Sequence, residues 1–165
     1  MINNIGYGTA NHFATDIKHV DLLKFVFDCG ITFFDTAEMY LGGRAEDFLG
    51  RAFEKNRDQI FISTKAHSWN AGFLELIEAA KRSMHRLKTD YIDLYQIHWP
   101  NPNVSLNETL DAMWYLKDKG MIKYVGLSNH TYRDLLSVQL GTHQIDYMQN
   151  EYNLFDRTLE TNLIK

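Results

Sequence analysis

Two rhythms of apolar positions alternate along this chain. Short apolar runs that read as strands occur at residues 5–9, in a run through Phe34, and at 60–65, 91–98, 122–128 and 147–151. Between them, apolar residues recur three and four apart, the spacing of one buried helix face. The first such segment carries Val20, Leu23 and Phe27, backed by Leu22 and Val26, with Thr15 or Asp16 as its N-cap and Gly30 as its stop. A second carries Ala45, Phe48, Leu49, Ala52 and Phe53. The third, with Phe73, Leu76, Ile77, Ala80, Met84 and Leu87, is the clearest amphipathic segment in the chain. Leu106, Leu110, Met113 and Trp114 mark a fourth that Gly120 ends, residues 132–140 read as a fifth, and residues 158–165 as the opening turn of a sixth. After the fourth strand, Pro100 and Pro102 forbid continuation.

A strand-helix order with short connections argues for parallel strands joined by right-handed crossovers. No linker or low-complexity tract divides the chain, so residues 1–165 read as a single domain. Two parallel α/β architectures compete. A doubly wound nucleotide-binding sheet wants G-x-G-x-x-G after its first strand; Gly6 and Gly8 fit, but Asn11 fills the third place. Polar residues end strands two to six instead: Asp35, Lys65, His98, Ser128 with Asn129, and Gln149. A TIM-type (β/α)8 barrel draws its chemistry from many strand ends in this way. A complete barrel takes about 250 residues and eight strands, so the expectation is an incomplete barrel of six βα units. Its first and last strands would present unpaired edges, an invitation to self-association or to a completing chain.

Composition narrows the options only a little. At 165 residues, with 45% hydrophobic and 23% charged residues, the chain can bury a real core. A net charge of −4 and the lack of basic blocks argue against nucleic acid as a partner. No apolar run reaches the ~18 residues of a membrane span, and no signal-peptide layout opens the chain, which makes the cytoplasm the expected location. The lone cysteine, Cys29, sits in an apolar helical pattern and reads as a small core residue. His67 has no second ligand at metal-binding spacing, so no metal is expected. His12, His19, His85, His130 and His143 read as surface or loop residues.

The candidate chemistry lies at three strand ends. Asp35, Lys65 and His98 are 30 and 33 residues apart, about one strand and one returning helix each time, and Tyr40 follows Asp35 on the connection that leaves its strand. Parallel strands would bring all four to one rim. A phenol near pKa ~10 is a reluctant acid at neutral pH. A nearby ammonium would lower that pKa, and a carboxylate would keep the ammonium charged and placed. This trio suits protonation of an oxygen that gains negative charge, as when a carbonyl accepts hydride, with His98 orienting the oxygen or relaying the proton. The bland alternative is a strand-end ion pair beside a wall tyrosine and a satisfied histidine. Trp99, and with less to favour them Trp69, Phe13 and Tyr7, are candidates to wall a substrate pocket.

Five motifs carry a resemblance. Asp35-Thr36-Ala37-x-x-Tyr40, Ser63-Thr64-Lys65, the run from Tyr91 to Pro100, Gly126-Leu127-Ser128-Asn129, and Gln149-Asn150-Glu151-Tyr152-Asn153 resemble the aldo-keto reductases in order and spacing. The resemblance implies a TIM-type barrel and NADPH-dependent reduction of aldehydes or ketones. It implies Tyr40 as general acid, Lys65 and Asp35 tuning it, and His98 placing the substrate oxygen. It further implies that Ser128, Asn129 and Gln149 hydrogen-bond the nicotinamide carboxamide. Leu41 stands where the family commonly has glycine, and Ala45 where serine is frequent. The family's seventh and eighth strands, which anchor most of the cofactor, have no counterpart here. Two alternatives to the reductase stay open. One is a redox-sensing or binding subunit acting through protein contacts, as the family's potassium-channel β-subunits do. The other is a catalytically inactive barrel fragment.

Overall fold

A computed structural model describes residues 5–10, 16–138 and 144–164. Six parallel strands lie side by side in chain order: β1 (Gly6–Gly8), β2 (Phe33–Asp35), β3 (Phe61–Ala66), β4 (Ile92–Ile97), β5 (Ile122–Ser128) and β6 (Tyr147–Gln149). Among the described residues, each connection between neighbours carries one α-helix: α1 (Asp16–Asp28), α2 (Arg44–Phe53), α3 (Phe73–Leu87), α4 (Leu106–Asp118) and α5 (Tyr132–Leu136). A doubly wound sheet reverses its strand order at a switch point. Here the order never reverses, so the sheet is an arc of a barrel with its helices on one face.

Strand alternation divides the two faces. Phe34, Ile62, Tyr95 and Val125 turn toward the helices and are buried with Leu23, Leu49, Leu76 and Met113. The opposite, concave face carries an aromatic ladder: Phe33 on Phe61 at 5.6 Å, Phe61 on Tyr124 at 6.1 Å, and Tyr124 on Tyr147 at 5.4 Å between ring centroids. In register above that ladder, toward the C-terminal ends of the strands, come Asp35 opposite Ser63 and Lys65 opposite Gln96.

Close helix packing explains one glycine. A Cβ on Gly50 of α2 would run into the carbonyl oxygen of Arg86 and lie 2.9 Å from that of Leu87, backbone that cannot rotate away. Gly50→Ala is expected to push α2 off α3 and lower the unfolding free energy by about 1–3 kcal/mol, read from the urea midpoint.

Several expectations need correction. Cys29 is exposed, because α1 ends at Asp28 and the chain turns away through Gly30 (φ 88°). Leu22 is also exposed, while Leu23 and Val26 are buried. His19 is buried against Phe48 at 4.7 Å, and His130 is buried with Nδ1 2.7 Å from the carbonyl oxygen of Ser128. Residues 158–165 open with a 3-10 turn (Thr158–Thr161), and no α-helix forms up to residue 164. Thr15, His12, Phe13, His143 and the end of the fifth expected helix lie outside the described residues. No helix among those described is long and apolar enough to cross a membrane.

Candidate active site

The chain leaves β2 still bonded to β3. Thr36 donates its backbone N–H to Ser63 O at 2.8 Å and Glu38 to Lys65 O at 3.1 Å, so residues 36–38 continue the ladder past the strand end. Tyr40 then opens a 3-10 turn, Tyr40–Gly43, in which Leu41 (φ 54°), Gly42 (φ 65°) and Gly43 (φ 93°) are all left-handed. For Leu41 that conformation costs about 1–2 kcal/mol, a strain that a glycine there would not carry. The turn swings the Tyr40 phenol over the end of the sheet, where it is half-buried.

Beneath it lies Lys65, 1% exposed, its Nζ 5.4 Å from the Tyr40 ring centroid. The ammonium donates to both carboxylate oxygens of Asp35 at 2.7 Å and to Thr36 O at 2.9 Å. Those bonds use all three of its donors. His98 meets Tyr40 edge to face, with centroids 5.6 Å apart, and Trp99 stacks on the His98 ring at 3.6 Å. Asp35, Tyr40, Lys65 and His98 therefore share one mouth, as the strand spacing predicts.

The electrostatics differ from expectation at Tyr40. Burial, and then the Asp35 carboxylate, raise its pKa above the ordinary phenol value, where a lowering by Lys65 was expected. Burial is the larger cause, and Lys65, whose three donors are all taken by Asp35 and Thr36, does not outweigh it while the phenol is neutral. Burial lowers the Lys65 pKa, against the opposing effect of Asp35. For His98, burial and the charges of Lys65 and His67 bring the pKa down to about 4. This folded value lies below the ordinary 6.5, so His98 stays neutral near pH 7. As pH falls from 6.5 toward 4 the unfolded chain takes up a proton that the folded chain refuses, and stability declines. The urea midpoint is expected to drop between pH 7 and pH 5 in the native chain, with a shallower drop in His98→Gln.

The three residues expected to hold a carboxamide sit next along the rim. Ser128 is buried, Gln149 pairs with it in register and is exposed, and Asn129 adopts φ 57° immediately after β5. The Asn129 amide nitrogen is engaged by His98 O at 2.9 Å and Ser128 Oγ at 3.1 Å, which ties this group to the acid-base cluster. That leaves the Asn129 Oδ1 as an acceptor, the Ser128 hydroxyl as a donor, and the exposed Gln149 amide as either. A planar carboxamide presents the complementary set.

Of the other candidates, Trp69 is largely exposed beside His67 at 4.9 Å, and Trp99 is exposed and stacked on His98. Tyr7 turns the other way and packs on Phe34 at 6.3 Å. Sequence reasoning passed over Glu38, whose carboxylate accepts the His67 backbone N–H at 2.6 Å and the Asn70 side-chain amide at 2.7 Å. It also passed over Glu46, fully buried, which accepts from Thr64 Oγ1 and from Arg86 Nε, each at 2.6 Å. An acidic residue on an otherwise apolar helix face was the available signal for Glu46.

Parallel strands in unbroken order, with an acid-base cluster at their C-terminal rim, define an arc of a TIM-type barrel. The chain belongs to the Aldo/keto reductase family, whose model matches residues 4–165. It is 35% identical over 161 residues to the aldo-keto reductase YhdN of Bacillus subtilis, covering 91% of this chain and 48% of that protein. It is 39% identical over 147 residues to the methylglyoxal reductase YeaE of Escherichia coli, covering 88% of this chain and 51% of that one. A crystal structure of an aldo/keto reductase from Klebsiella pneumoniae in complex with NADP and acetate superposes with a TM-score of 0.87 at 32% identity, covering 96% of this chain and 58% of that one. The chain thus spans about half the length of the curated relatives it matches.

Proposed function

We propose that this chain supplies the acid-base half of an NADPH-dependent reductase that converts aldehydes or ketones to alcohols. The observation that carries the reading is the phenol of Tyr40 set over a buried Lys65–Asp35 pair and edge-on to a neutral His98. When bound, NADPH supplies the hydride. Ser128, Asn129 and Gln149 would hold its carboxamide beside the cluster. His98, as a neutral imidazole, donates a hydrogen bond to the substrate oxygen without competing for its proton. Tyr40 keeps its proton at neutral pH and releases it only to an oxygen made strongly basic by arriving hydride. Lys65, held charged by Asp35, stabilises the phenolate that this leaves. Trp69 and Trp99 close the mouth over a small apolar or planar carbonyl compound. The similarity to a methylglyoxal reductase supports a small aldehyde as substrate.

Among the described residues, the strands at the two ends of the arc, β1 and β6, each pair with one neighbour. Association through these edges, with a second copy or with a polypeptide that supplies further strands, accompanies this function. The test follows NADPH oxidation at 340 nm with a panel of small aldehydes and ketones, using the chain alone and joined to such a polypeptide. Turnover of at least one aldehyde in the joined form is expected. No oxidation of NADPH with any member of the panel in either form would contradict the reading.

A further inference from the structure

The turn bearing Tyr40 is tied down on both sides. Three successive left-handed residues follow the phenol, one of them the strained Leu41, and the helix after them is anchored through Glu46 to Arg86 of α3 and to Thr64 of β3. On the near side the last backbone bond to β3 is the Glu38 N–H on Lys65 O. Beyond it the carboxylate of Glu38 takes over. Its Oε1 accepts the backbone N–H of His67, two residues past Lys65, and the side-chain amide of Asn70 in the following 3-10 turn, Ser68–Asn70. Its Oε2 lies 3.8 Å from Arg82 of α3, and the side chain is only 10% exposed. One side chain therefore stitches the loop after β2 to the loop after β3.

We propose that Glu38 is a positioning residue: its carboxylate clamps the turn that carries Tyr40 onto the loop that carries His67 and Trp69, and so sets where the phenol stands over Lys65. The clamp acts through hydrogen-bond geometry, because two donors converge on one oxygen within 2.7 Å. Its link to turnover rests on Tyr40 being the proton donor; the clamp itself does not.

The test uses the chain with its tyrosines carbon-13 labelled at Cζ, the Tyr40 signal being assigned by its loss in Tyr40→Phe. Two quantities are read: the Tyr40 titration, and the exchange rate of the His67 amide. The groups that face this phenol are Asp35, Lys65 and His98, with Glu38 and His67 behind them. In Glu38→Ala the turn is expected to lift and admit water, so the Tyr40 pKa falls toward 10.0. The His67 amide then exchanges about tenfold faster or more. Glu38→Gln loses the charge but keeps an acceptor oxygen, and both quantities are expected to stay near native. Asn70→Ala, which removes one donor and leaves Glu38 alone, is expected to fall between the two and serves if Glu38→Ala fails to fold. Equal shifts in Glu38→Ala and Glu38→Gln would mean that charge acts and not position, which overturns the proposal. Native titration and native exchange in Glu38→Ala, or in Asn70→Ala if that is the folded variant, overturn it as well. Neither readout needs NADPH or turnover, so failure of the reductase reading leaves this result intact. In a form that turns over, Glu38→Ala should lower kcat while the Kd for NADPH stays within about twofold, a split that general loosening of the fold would not give.

Discussion

Tyr40→Phe is expected to lower kcat for carbonyl reduction by about 10²- to 10⁴-fold, the usual contribution of a placed general acid. The substitution is nearly isosteric. The ring keeps its edge-to-face contact with His98 and its place over Lys65, so the mouth should stay closed and the buried Lys65–Asp35 pair intact. Only the transferable proton is lost. Ser128, Asn129 and Gln149, the residues proposed to meet the carboxamide, are untouched, and NADPH affinity should stay within about twofold. A loss confined to kcat and kcat/KM marks an interaction made in the transition state. Turnover within tenfold of native would remove Tyr40 from the role of acid and point to His98 or to water.

Asp93→Ala is expected to cost about 3–5 kcal/mol of stability, the range for breaking a buried ion pair from one side. Asp93 is 4% exposed on β4, at the end of the sheet opposite the site. One of its oxygens accepts from Arg57 at 2.6 Å and from the Ile62 backbone N–H at 3.0 Å, and the other accepts from Lys123 at 2.8 Å. Both cations also lie against the Tyr91 ring, Arg57 at 4.2 Å and Lys123 at 4.0 Å from its centroid. Removing the carboxylate would leave a largely buried guanidinium without its counter-charge, held only by the carbonyl oxygens of Ile60 and Tyr91, and one strand N–H without its acceptor. A domain of this size has a total stability of roughly 5–15 kcal/mol, so the urea midpoint should fall by about 1–3 M. Asp93→Asn keeps an acceptor for Ile62 and should cost less. A midpoint shift of Asp93→Ala below about 0.3 M would show that the cluster is solvated and not structural.

Strand order was legible because each βα unit in this chain is self-contained. The fifth strand and the third helix coincide with the residues that alternation and helical spacing mark, 122–128 and 73–87. The convergence of Asp35, Lys65 and His98 followed from that order alone, since register in a parallel sheet places successive strand ends on one rim. What the sequence withheld depends on neighbours. His19 is a polar residue on an amphipathic helix and His130 lies on the connection after β5, and only the packing of α1 on Phe48 or the bond to the Ser128 carbonyl decides that they are buried. Cys29 looked internal because its neighbours are apolar, yet it lies just past the last turn of α1. The rise in the Tyr40 pKa could not be read from residue types either. An ammonium beside a phenol lowers that pKa in principle, but Lys65 spends all three donors on Asp35 and Thr36. Glu38 was invisible for a similar reason: a carboxylate on a loop is ordinary until its acceptor oxygen is seen capping the next loop's backbone.

The most direct measurement for a shared mouth, with Tyr40, Lys65 and His98 tied through Asn129 to the proposed carboxamide cradle, is NADPH fluorescence titration. It is run on the chain alone and on the chain joined to a polypeptide that supplies the remaining strands. Saturable quenching in the joined form is predicted, weakened by Asn129→Ala and left unchanged by Tyr40→Phe. No change in fluorescence in either form would contradict it.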